Sequence, residues 1–236
     1  MAEAFPSRAQ IRKAASVIRH LSDPDRRSTY DEFVRAIETI QLFRAAHQTP
    51  LVKANMGLRS IASSLKIDAV ISQRLKRMAT IMDKLHRHPT MDLSRMQDIG
   101  GCRAVVRSIE DLRRIERKLK HNRPPVGYDD YILNPRASGY RAVHVVVCYE
   151  DQEGIDRRIE VQLRTPLMHS WAIAVERLSG RLDVDVKSGF GPGEVQVWLA
   201  AISEAMALEE RGAPVPDSLR LKIAEARQAG APFVGD

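Results

Sequence analysis

The sequence predicts an α+β fold, a mixed β-sheet with helices at both ends of the chain. Three observations carry this. Residues 159–165 alternate without a break: Ile159, Val161 and Leu163 fall on one side, Glu160, Gln162 and Arg164 on the other. That is the period of a strand with one buried face. Residues 98–106 run from Asp98 through Gly100 and Gly101 into Cys102, Ala104, Val105 and Val106, a buried strand with a crossover helix over 112–119 behind it. Both flanks are written in helical period instead. The expected division is a helical segment over 1–66, a core over 67–182 and a helical segment over 183–236, forming one compact domain.

Taken in order, residues 6–21 place Ile11, Ala14, Ala15, Ile18 and Leu21 on one helical stripe and Arg8, Arg12, Lys13 and Arg19 off it. This is an amphipathic helix with a basic face. Asp23, Pro24 and Asp25 break it. Thr29 and Glu32 form a possible capping box for a second helix reaching about His47, ended by Thr49 and Pro50. A third helix is expected over about 53–65. Residues 70–86 are ambiguous: Ile71, Leu75, Met78, Met82 and Leu85 fit one helical stripe, yet 69–75 also reads as a strand. A loop over 122–127 and a turn-rich stretch through Asp130 and 135–139 lead to an apolar strand over 142–149. A turn at 151–154 then enters the alternating strand. Pro166 opens a helix to about Leu178. A glycine-punctuated loop over 184–193 precedes terminal helices over 195–210 and 217–228.

Composition narrows the function. The 236 residues are 44% hydrophobic and 28% charged, which is globular rather than disordered. No apolar run is long enough to span a bilayer, and residues 1–12 lack the apolar segment of a signal peptide. No membrane insertion and a cytoplasmic location are therefore expected. Cys102 and Cys148, the two cysteines, lie in apolar runs and read as buried thiols rather than a disulfide. Nothing has the spacing of a zinc site. The net charge is +7, and residues 66–123 hold 15 Lys/Arg against 7 Asp/Glu. Such a field attracts polyphosphates and nucleic acid.

The polar residues suggest a chemistry. Arg74, Lys76 and Lys84 make a basic clamp suited to a triphosphate. Asp98 and Glu160 are two separated carboxylates able to share Mg²⁺, an ion that favours few carboxylates plus phosphate oxygens. Tyr140 and His144 precede a strand that pairs with the one carrying Glu160. Together these point to metal-assisted phosphoryl-type transfer.

At these residues the chain resembles the RelA/SpoT-type pyrophosphokinases, which make the (p)ppGpp alarmones. The resemblance rests on Arg74, Leu75, Lys76, Thr80 and Lys84. It continues through Asp98, Ile99, Gly100, Gly101, Cys102 and Arg103, then Asp130, Tyr131, Ile132, Pro135, Arg136, Gly139, Tyr140 and His144, and ends on the run from Glu160 to Thr165. It implies a nucleotidyltransferase-like mixed sheet with a strand at 69–76. It also implies that Arg74 and Arg103 sandwich the adenine of ATP, with Lys76, Thr80 and Lys84 on the same nucleotide. Asp98 and Glu160 would hold Mg²⁺, Glu160 alternatively taking a proton from the acceptor's ribose 3′-hydroxyl. Tyr140, displayed by its turn, would stack on the acceptor base, with Arg136, His144, Gln162 and Arg164 placing it. Trp171 and Trp198, on helical stripes, read as core.

Departures refine the resemblance. Arg136 and Ser138 stand where the family usually has Lys and Asn. The run from Trp171 to Arg177 lacks the usual Tyr-Lys of small alarmone synthetases and looks closer to the toxic small synthetases of bacteria and phages. Several of those modify the 3′ end of tRNA. The acceptor is thus tRNA or GDP/GTP, with a slight lean to tRNA. No His-Asp dipeptide marks a hydrolase, so an outside antitoxin or neutralising protein is an expected partner, a homo-oligomer a possible one. The alternative is a degenerate member that only binds nucleotide or RNA.

Overall fold

The computed structural model describes residues 5–21 and 28–234. The Asp23–Pro24–Asp25 break lies outside them. The order is α1 (Arg8–Arg19), α2 (Tyr30–Ala45), α3 (Gln48–Ser64), β1 (Ala69–Leu75), α4 (Met78–Arg87), β2 (Gly100–Val106), α5 (Ile109–Asn122), β3 (Gly127–Asp130), β4 (Val143–Glu150), β5 (Asp156–Arg164), α6 (Pro166–Leu182), α7 (Gly193–Glu209) and α8 (Asp217–Val234). The five strands lie in the order β1-β2-β5-β4-β3. Only the β2–β5 pair is parallel. The fold is the expected α+β mixed sheet with helices on both flanks.

The strand alternation decides what each face of the sheet does. Ile159, Val161 and Leu163 on β5, with Cys102, Ala104 and Val106 on β2, are at most 2% exposed and pack beneath α3 and α5. Fully burying one such aliphatic side chain contributes about 1.5–3 kcal/mol. The other face carries Arg103, His144, Glu160, Gln162 and Arg164. A second core joins α1, α2 and α4 through Ile11, Ile18, Ile40, Ile81 and Leu85 to Ile99, just before β2. A third joins Tyr140 and Ala142 to Trp171 and Val175 of α6 and to Val195 and Leu199 of α7.

Local chemistry explains the boundaries. Ser7 with Gln10 and Thr29 with Glu32 form reciprocal capping boxes on α1 and α2, satisfying donors that a helix start leaves free. The ambiguous stretch resolves into β1 followed by α4, with Ile81 and Leu85 as the helix's buried positions. Pro50 does not end α2. It sits in the first turn of α3, where a missing N–H costs nothing, and the break falls at Ala46 and His47 instead. The short edge strand β3 within the supposed loop and turn region was not anticipated. Cys102 is buried, but Cys148 is only half-buried, on the opposite face; both thiols are free. Among the described residues, no helix is long and apolar enough to cross a membrane.

Candidate active site

The site is built across the open face of the sheet by register. Arg74 of β1 lies opposite Gly101 of β2, which lies opposite Glu160 of β5. Gly101 has no side chain, so the row leaves a slot between a guanidinium and a carboxylate two strands apart, about 10 Å. One step along, Arg103 pairs with Gln162, and Gln162 with His144. Arg74 and Arg103 are therefore diagonal neighbours on one face, roughly 7–8 Å apart at the backbone. Gly100 faces the other side: a Cβ there would come within 2.6 Å of Ile159 Cδ1, which would have to shift to admit it.

At one end of the slot, Asp98 precedes β2 and faces two ammonium groups. Lys76 Nζ lies 2.9 Å from its Oδ2, and Lys84 Nζ 3.0 Å from the same atom. Burial alone would raise the Asp98 carboxyl, but the two lysines outweigh it and hold it below its ordinary range. Arg44 Nε reaches the carbonyl of Lys76 at 2.7 Å and fixes the chain between β1 and α4. Arg74 is exposed and Thr80 half-buried on α4.

In the middle, five side chains close a hydrogen-bonded ring. Glu160 Oε1 meets His144 Nδ1 at 3.1 Å, and His144 Nε2 meets the Tyr140 hydroxyl at 2.6 Å. Arg164 Nη2 donates to the Tyr140 hydroxyl and to Gln162 Oε1, both at 2.9 Å. Gln162 Nε2 then donates to Glu160 Oε2 at 2.6 Å. With a proton on Nδ1 the imidazole donates to Glu160, while Arg164 Nε is buried without a partner. Burial would raise Glu160, yet His144, Gln162 and the nearby Lys187 pull it down to about 2. It is a permanent anion in this setting.

The cations above the ring are crowded. Arg164 is 1% exposed. Burial, with Arg164 and Arg74 adding to it, lowers Arg103, whose Nε is buried without a partner. His169, in the first turn of α6, is likewise lowered by burial and then by Arg103 and Arg164. A buried group of cations with few counter-anions is suited to receive a polyphosphate.

Tyr140 is not displayed as expected. It is 0% exposed, because the turn that carries it is clamped by α7. Gly139 adopts φ +87°, and a Cβ there would lie 2.8 Å from Ala200 Cα and 2.9 Å from Ser203 Cβ. Ser203 Oγ donates to the Gly139 carbonyl at 2.5 Å. Arg136 sits over the Tyr131 ring at 4.5 Å and donates to its hydroxyl. Trp171 is core and Trp198 half-buried. The residue that reading by sequence missed is Lys187, on the turn Val186–Ser188. Its Nζ lies 4.5 Å over the Tyr140 ring and 3.7 Å from Glu176 Oε1. Burial first, then Arg164, pushes its pKa down to about 8. Nothing local in the sequence marks it, since it lies in an irregular segment that only the fold brings here.

Such a slot, floored by Gly101 and walled by lysines, arginines and carboxylates, has the charge and shape to receive nucleotide phosphates. Residues 73–177 match the family described as "Region found in RelA / SpoT proteins". The GTP pyrophosphokinase YjbM of Bacillus subtilis is 30% identical over 167 residues, covering 67% of this chain and 75% of that relative. A GTP pyrophosphokinase of Photobacterium angustum is 27% identical over 145 residues, and there the chain spans only 18% of the relative. The crystal structure of the small alarmone synthetase 1 from Bacillus subtilis superposes with TM-score 0.64 at 25% identity, covering 80% of this chain and 99% of that one. The chain belongs to the RelA/SpoT family and is a pyrophosphokinase of the small-synthetase type.

Proposed function

We propose that the chain moves the terminal pyrophosphate of ATP to the ribose 3′-hydroxyl of a guanosine nucleotide, GDP or GTP. The acceptor oxygen bonds to the β-phosphorus, the bond from that phosphorus to the α,β-bridging oxygen breaks, AMP leaves, and the hydroxyl proton passes to solvent or a nearby base. The single observation that carries the transfer is the slot over Gly101, with Asp98, Lys76 and Lys84 at one end and Glu160 across it. Diagonal Arg74 and Arg103 present two guanidinium planes to one flat adenine, a favourable cation–π arrangement. Thr80 and Lys84 line the same side on α4.

The donor set fits a divalent cation. Asp98 and Glu160 are hard-oxygen ligands held ionised by their surroundings, and Mg²⁺ takes one or two carboxylates with phosphate oxygens completing its shell. Among the described residues no group of three or more candidate ligands forms a protein cage, which suits an ion shared with the nucleotide. When bound, Mg²⁺ supplies neutralisation of the charge that develops on the phosphates. With a pKa near 2, Glu160 is a poor proton acceptor at neutral pH, which favours its holding the ion over its deprotonating the acceptor. Arg164, Gln162 and His144 orient Glu160 through the ring, so the chain's contribution is positioning and charge.

The guanosine acceptor is supported by the relatives named GTP pyrophosphokinase and by where the basic residues stand. Arg113 is spent on Glu116 and Asp130, and Lys120 on Glu116. Arg114, Arg117 and Lys118 lie on α5, beneath the sheet and away from the slot. A second reading, the tRNA 3′ end, is favoured by the net charge of +7 and by Arg136 and Ser138; it would bring an antitoxin and a role in translation block with it. Incubation with γ-labelled ATP and GDP, GTP or bulk tRNA tests both. Label on GDP or GTP is the expected result. Label on tRNA alone replaces it with the second reading, and no label on any acceptor removes the activity.

A further inference from the structure

Six side chains surround the Tyr140 ring: Tyr131, His144, Trp171, Arg136, Arg164 and Lys187. Five of them lie within the family-matched residues 73–177. Lys187 alone comes from outside that span, and of the three cations it lies closest to the ring centre, at 4.5 Å against 5.3 Å for Arg164 and 5.5 Å for Arg136. A base that stacks on Tyr140 needs one open ring face, and the ring has none.

The backbone that delivers Lys187 is fixed: Val186 is buried in the third core, its N–H donates to Ser179 Oγ at 3.2 Å and its carbonyl accepts from Gln196 Nε2 at 3.0 Å. The Lys187 carbonyl accepts from Ser138 Oγ at 2.8 Å, within the acceptor turn. Lys187 Nζ pairs with Glu176 on α6. Asp185 accepts from Arg87 Nη1 at 2.8 Å, and Arg87 ends α4, the helix that also carries Lys84. The turn thus bridges the donor helix and the acceptor turn. It is bounded by residues in the left-handed region, Asp183 at φ 52°, Gly189 at 94° and Gly191 at 104°.

We propose that Lys187 is a latch on the acceptor side: its ammonium holds the place of the acceptor base on Tyr140, and its side chain swings off the ring before the acceptor stacks. The inference rests on Tyr140 being the acceptor platform. A ligand whose binding-competent state is only part of the population binds with its affinity reduced by that fraction. Removing the ammonium enlarges the competent fraction, while a guanidinium keeps a cation on the ring.

The test is acceptor binding at equilibrium, with GDP as the probe, in the wild type and in Lys187→Met, Lys187→Ala and Lys187→Arg, beside binding of a non-hydrolysable ATP analogue. Loss of one partly buried cation–π contact predicts GDP affinity about three- to thirty-fold tighter in the Met and Ala variants. The Arg variant stays near wild type, and ATP-analogue affinity is unchanged in all three. Unchanged or weaker GDP binding in Lys187→Met overturns the latch. Tyr140→Leu, alone and combined with Lys187→Met, separates this failure from failure of the platform. If Tyr140 is not the platform, Tyr140→Leu leaves GDP affinity unchanged in both backgrounds. If only the latch is wrong, Tyr140→Leu weakens GDP binding while Lys187→Met fails to tighten it.

Discussion

At the scale of the residue, the ring of Glu160, His144, Tyr140, Arg164 and Gln162 organises the site. Glu160→Gln keeps size and one acceptor oxygen but removes the charge. We expect turnover to fall on the order of 10²-fold or more with the fold intact; steady-state rates on a variant with wild-type circular dichroism check this. The polar face of β5 was legible, because period-2 alternation places Glu160, Gln162 and Arg164 together whatever surrounds them. Closure of the ring was not. It depends on Tyr140 turning inward, and the packing of Ala200 and Ser203 of α7 on Gly139 decides that from a distant part of the sequence.

At the scale of the element, the junction of α2 and α3 carries the clearest pH dependence. His47 is 2% exposed and its Nδ1 lies 2.9 Å from the Phe43 carbonyl. Burial, opposed by that bond, lowers its pKa from 6.5 to about 4. The unfolded chain therefore binds a proton that the folded one refuses between those values. Stability is full above pH 6.5 and falls as pH drops towards 4, by on the order of 3 kcal/mol at the limit. Urea unfolding at pH 7.5 and pH 4.5 should show the loss, and His47→Gln should flatten it. Element boundaries were legible where a side chain caps its own helix, as at Thr29 and Glu32. They were misread where a proline is ambiguous, as at Pro50, and where a strand is too short and acidic to show a period, as in β3.

At the scale of the whole molecule, α7 and Glu210 just beyond it tie the C-terminal helices to the turn that carries Tyr140. Glu210 forms a buried ion pair with Arg141 at 2.5 Å, next to Tyr140, and accepts from Thr165, the N-cap of α6. Glu210→Ala strands Arg141 without its partner, at a cost of about 3–5 kcal/mol. A thermal midpoint roughly 10 °C lower is the expected reading, and a midpoint within 2 °C would show the pair to be dispensable. No local pattern predicted this clamp: the expected boundary at residue 182 cuts through the third core, since periodicity speaks of each helix's own face and not of the face it meets. The clamp also sets an order in time. β1 and β2 leave the ribosome long before α7 does, and until α7 follows the turn at Gly139 has nothing to close on. The Gly139 turn meets the residues that clamp it only once synthesis has passed Glu210.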